Sequence, residues 1–132
     1  MDVIEKINRS CWADWSFDEF IIDYEKVSIT LSYNSGSVHT PDTHATITCK
    51  NFIGFSFVGN WDENVIEDIN IESKGDLITN SLQKIKLFNG DPPTPSLGGG
   101  IRKYDSRYYQ LNMKMIDGNI IKVVSESFKL KT

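Results

Sequence analysis

His39, Asp42 and His44, in the segment HTPDTH, come nearest to a reactive set in this chain. Two imidazoles and a carboxylate can ligate a metal or share acid–base work. A catalytic zinc, however, takes three rigidly held protein ligands, and the paired-histidine signature sets its ligands one helical turn apart rather than across a proline-containing loop. No nearby Ser or Cys has the local signature of an activated nucleophile. Cys11 and Cys49 have no CxxC spacing, so neither a zinc site nor a disulfide framework is suggested, and reduced thiols are expected. Cys49 lies in an alternating run and is expected to be buried filler. The expectation is a chain with no catalytic residue, no metal and no cofactor.

Gly98, Gly99 and Gly100, followed by Arg102 and Lys103, offer flexible backbone amides beside cations, as phosphate loops do. The required context is missing, because there is no GxxxxGK[ST] and a strand rather than a helix is expected to follow. Nucleic-acid binding is suggested by Arg102, Lys103, Arg107, Lys114, Lys122, Lys129 and Lys131 near Tyr104, Tyr108 and Tyr109, since stacking with cations holds single strands. Against it, the pI is about 5.1, and these cations alternate with apolar residues as on any solvated strand face. No nucleic-acid partner is expected.

The carboxylates are more informative. Residues 1–80 carry fourteen Asp/Glu against five Lys/Arg, and residues 81–132 carry four against nine, so one part of the surface is set to attract a basic partner. Asp14, Asp18, Glu19, Asp23 and Glu25 lie in a stretch without a single base, and Asp62, Glu63, Glu67, Asp68, Glu72 and Asp76 face only Lys74. Paired carboxylates could serve a glycosidase, but their spacing in space is not written in sequence, and most acidic runs are solvated faces. Trp12, Trp15 and Trp61 stand beside these acids, and tryptophan ringed by charge is the composition of a protein-interface hot spot. The expected partner-binding residues are Trp61, Asp62, Glu63, Glu67 and Asp68, together with Asp18, Glu19 and Asp23.

The elements that must position them follow from periodicity. The chain has the length of one domain, 1–132, and Ile outnumbers Ala sixteen to two, which favours sheet over helix. Asp2 to Arg9 places Val3, Ile4 and Ile7 on one face of a short helix. Phe17 to Tyr24 reads as a strand, turned at Glu25 and Lys26 into an alternating run of Val27, Ile29, Leu31 and Tyr33. After a polar loop, Ala45, Ile47 and Cys49 alternate, and Phe52 to Val58 continues beyond a bend near Lys50 and Asn51. Val65 to Glu72 suits a strand. Ile78, Leu82 and Ile85 recur at helical spacing, which predicts a helix capped by Asp76 and ending near Phe88. Three prolines and three glycines in 91–100 exclude regular structure there. Tyr109 to Met115, Asp117-Gly118 and Asn119 to Leu130 form a hairpin. The fold class is therefore α+β, a curved antiparallel sheet of six to seven strands with one or two helices packed on one face. The N-terminus does not resemble a signal peptide, no run is long enough to span a bilayer, and a cytoplasmic location is expected.

CWADWSFDEFIIDYEKVSITL, followed by ATITCKNFIGFSFVGNWDENVIEDINIES, resembles the small, acidic, strand-rich immunity proteins that protect bacteria from polymorphic or contact-dependent growth-inhibition toxins. The features carrying the resemblance are a W-x-x-W-x-x-D opening at Trp12, Trp15 and Asp18, alternating strands, and G-x-W-D at Gly59, Trp61 and Asp62 before an acidic strand. It spans about the first 75 residues and implies a binding protein, not an enzyme, that blocks a basic toxin domain such as a nuclease. A monomer or homodimer with a protein partner and no membrane association is expected. The alternative is a small ligand-binding or enzymatic domain that uses the cavity of a curved sheet.

Overall fold

The computed structural model describes residues 2–36, 41–60, 63–89 and 107–132, with residues 86–89 as backbone only. Helix α1 (Val3–Arg9) starts where the Asp2 carboxylate accepts the Glu5 N–H at 2.8 Å, and Lys6 and Arg9 complement its C-terminal carbonyls. Strands β1 (Ser16–Asp23), β2 (Lys26–Tyr33), β3 (Thr43–Val58) and β4 (Ile66–Glu72) precede helix α2 (Asp76–Asn89), and β5 (Tyr109–Met115) and β6 (Ile120–Lys131) complete the fold. All six strands form one antiparallel sheet in the order β1-β2-β3-β6-β5-β4. This is the α+β architecture expected from the sequence.

Alternation sets the faces. Val27, Ile29 and Leu31 of β2, Ala45, Ile47 and Cys49 of β3, Ile66, Ile69 and Ile71 of β4, Leu111, Met113 and Met115 of β5, and Ile121 and Val123 of β6 share one buried cluster. Helix α1 adds Ile7 to it, with Val3 and Ile4 packed alongside. The opposite face carries α2. There Gly54 lets the helix approach so closely that a Cβ would collide with the Ser81 hydroxyl, and Gln110 and Lys122 hold the helix start. Close approach explains why Ser81 is buried beside Ile85, while Ile78 and Leu82 of the apolar stripe are only half-buried.

Two irregularities shape the sheet. Asn51 takes φ 54° and the β3–β6 register shifts between Phe52 and Gly54, where a bend was expected. The buried Ser125 hydroxyl donates to the Lys50 carbonyl at 2.7 Å, satisfying it at the bend. The β1–β2 turn falls on Tyr24 and Glu25, one residue earlier than expected, because Lys26 pairs with Asp23 and Lys50 as part of β2. Tyr24 accepts φ 55° to make that turn. The turn from β5 into β6 takes in Ile116 as well as Asp117 and Gly118, closed by Met115 N–H donating to Asn119 C=O at 2.8 Å, and of the expected Asp-Gly pair only Gly118 has a positive φ, 92°.

The sheet curls around the cluster until its two edges touch. Ser16 bridges Val65, Phe17 N–H donates to Asn64 C=O at 2.8 Å, and Ile66 N–H donates to Trp15 C=O at 2.7 Å. The edges meet over this short seam and the sheet is not closed into a barrel. No helix among the described residues is long and apolar enough to cross a membrane.

Candidate functional site

The seam joins the two acidic runs. Ser16 opposite Val65 and Phe17 bonded to Asn64 set an antiparallel register that carries Asp18 toward Glu63. Glu19 follows Asp18 on β1 at that end of the seam, whereas Glu67 and Asp68, at the start of β4, lie at its other end; all five carboxylates are exposed. Asp117 joins them from the β5–β6 turn, where its carboxylate accepts the Glu63 N–H at 3.1 Å. Asp14, also exposed, donates its N–H to Ile66 C=O at 2.9 Å. Asp23 lies apart, since seven residues of strand place it roughly 20 Å from Ser16. Trp61 and Asp62 lie outside the described residues.

Neutralisation of this group is slight. Lys114 reaches Glu67 at 3.8 Å with both side chains about half exposed, an interaction worth about 0–1 kcal/mol. Among the described residues no ion pair involves Asp14, Asp18, Glu19, Glu63, Asp68 or Asp117. A second C-terminal lysine, Lys122, meets Asp76 at 3.0 Å, and its hydrogen bond, followed by that of Gln110, holds the Asp76 carboxyl below the usual carboxylate range. That pair docks α2 and stands outside the seam.

The other sequence candidates separate. Trp12 is buried, its indole N–H donating to Ile7 C=O at 2.9 Å, and its ring stands edge-on to Trp15 at 5.1 Å. Trp15 in turn packs on Tyr33, so both tryptophans brace the segment between α1 and β1. His44 is exposed on β3 opposite Ser32, and Asp42 accepts from the Asn34 amide at 2.8 Å. His39, like Gly98 to Gly100, Arg102, Lys103 and Tyr104, lies outside the described residues. Among the described residues no three His, Cys, Asp or Glu are grouped to hold a metal. Cys49 is fully buried, and desolvation pushes its thiol up to about 12. Arg107 stacks over Tyr109 at 5.5 Å.

The concave side of the sheet is filled by its own side chains, with Ile29, Ile47, Ile69, Leu111, Met113 and Ile121 among those fully buried. An open depression of about 610 Å³ lies elsewhere, at the β1–β2 turn, lined by Asp23, Tyr24, Glu25, Lys26, Lys50 and Asn51. Sequence reasoning missed two features. One is the contribution of Asp117, whose turn chemistry masked its surface role. The other is the outer edge of β1, where Ile21 and Ile22 are 45% and 50% exposed, because alternation identifies a strand without saying whether it has two neighbours.

No protein-family model and no curated protein matches the chain. Among solved structures it is similar to the crystal structure of an uncharacterized protein from Neisseria gonorrhoeae, with a TM-score of 0.51 and 13% identity over 91% of this chain and 92% of that one. At that identity the likeness establishes a shared fold across nearly the whole of both chains.

Proposed function

We propose that this chain is an immunity-type binding protein that neutralises a basic toxin domain by covering its substrate site. The observation that carries the reading is a seam, joining distant parts of the sequence, that is acidic at both ends, Asp18, Glu19 and Glu63 at one and Glu67 and Asp68 at the other, with a single weak ion pair among the described residues. Nuclease domains fit best, because a groove that binds phosphates is basic, and an acidic surface competes with nucleic acid for it. Exposed acids speed encounter by steering, while an aromatic residue supplies holding power once water is excluded. Trp61, between Gly59 and Asp62, is the candidate anchor. In this reading the carboxylates recognise charge and perform no chemistry.

The test uses the product of the gene directly upstream, where the resemblance places the toxin. Expressed alone it should arrest growth, and co-expression of this chain should restore it. The purified pair should associate faster at low than at physiological salt. Restored growth without a detectable complex, or no protection at all, rejects the reading.

A further inference from the structure

The two edges of the sheet are finished differently. On β4, Ile66 uses both backbone groups on Trp15 and Asp14, and the Asn8 side chain bonds both backbone groups of Ile71, at 3.0 and 2.7 Å. On β1 the seam occupies Phe17, whose C=O also accepts from the Asn64 amide at 3.2 Å. The register shift between Phe17 and Glu19 marks the end of the seam. From Asp18 to Asp23, the outer backbone groups of β1 meet no strand among the described residues.

Exposed edges are normally blunted by charge, proline or a covering segment. Here charges stand only at the ends, Asp18 and Glu19 at one and Asp23 at the other, with Phe20, Ile21 and Ile22 between them. Open N–H and C=O groups flanked by aliphatic side chains on both faces suit the addition of another strand. The charges decide which strand. Antiparallel pairing with a second copy, centred on Phe20 and Ile21, sets Asp18 against Asp23 twice, and like charges directly opposite are unfavourable. No Lys or Arg occurs between residues 10 and 25 to relieve this. A strand that is apolar at its centre and basic at both ends complements the edge in shape and in charge.

We propose that Asp18–Asp23 of β1 accepts an extended segment of a partner protein as a seventh strand, apolar in the middle and carrying Lys or Arg at both flanks. The inference rests on the reading of the chain as a binder of a basic protein, and names the mode of capture.

The probe is a disulfide-cyclised hairpin peptide whose outer strand reads lysine, valine, isoleucine, valine, lysine. It is titrated into isotope-labelled protein at up to about 1 mM, the range of weak single-strand affinity. Binding should slow amide exchange at alternate residues of Asp18–Asp23. Methylating the outward peptide nitrogens, or replacing the lysines by glutamates, should abolish it. Ile22→Lys, which puts a charge in the middle of the edge, should weaken binding about tenfold or more with the melting temperature unchanged. Equal binding of the methylated peptide, amide protection elsewhere, or dimerisation of the protein through β1 overturns strand addition. If the peptide fails while the upstream gene product still binds, strand addition alone falls; if both fail, the two readings fall together.

Discussion

Leu111 is fully buried between Ile71 of β4 and Val123 of β6, and it offers the plainest measure of what one core residue contributes. Truncation removes the apolar contacts and leaves a cavity that a sheet clamped on both sides cannot collapse. Leu111→Ala should therefore cost about 2–5 kcal/mol in denaturant unfolding. A loss below about 1 kcal/mol would mean that the site relaxes freely, contrary to the packing described. The thiols give an independent check on the same interior. Cys11 is exposed and Cys49 is buried with its thiol held protonated by desolvation. A thiol reagent such as Ellman's should modify Cys11 in the native protein, and reach Cys49 only on unfolding. Rapid native modification at both positions would show that the β3 core opens on the time scale of the reaction.

Elements are held here by a few polar contacts as much as by apolar area. Asn8 completes the β4 edge as a strand backbone would, giving and receiving one hydrogen bond with Ile71. Asn8→Ala leaves a part-buried N–H and C=O without those partners, a loss of about 1–3 kcal/mol, and should raise hydrogen exchange at Ile71 first. Unchanged exchange there would indicate that water replaces the amide at little cost. At the start of α2, Asp76 accepts from Leu77 N–H, Gln110 and Lys122. The Lys122 hydrogen bond lowers its pKa in the folded state. Its contribution to stability is therefore present above the ordinary carboxylate pKa and is lost as pH falls through the lowered folded value. Asp76→Asn should melt below the parent at neutral pH, and the gap should narrow on acidification. A gap independent of pH would assign the effect to helix capping alone.

At the scale of the molecule, local pattern and long-range pairing were unequally legible. The parity of Val27 to Leu31 and of Leu111 to Met115 identified buried faces, but it could not show that α2 also buries Gln110 on the other face of β5. The strand order was not legible, since β3 pairs with β6 across an intervening β4, α2 and β5, and nothing local encodes that choice. The acidic character of the candidate site was readable from composition. Its assembly was not, because it depends on the curl that brings Ser16 to Val65. Tryptophan misled in part, since Trp12 belongs to the core. The seam makes a kinetic prediction for the proposed complex. Glu63→Lys with Glu67→Lys replaces two exposed negative charges by positive ones where the edges meet, so encounter with a basic partner should slow. The effect should be large at low salt and small at physiological ionic strength, where the Debye length is about 8 Å. Lys114→Ala separates charge from structure, because it frees Glu67 from its ion pair and should leave association unchanged or faster. Trp61→Ala should act on the other rate, raising dissociation by an amount equivalent to about 2 kcal/mol or more if the indole is the anchor. A partner whose association rate ignores both charge reversals at low salt does not dock on this seam, and the acids would then be the solvated outside of a sheet that binds elsewhere.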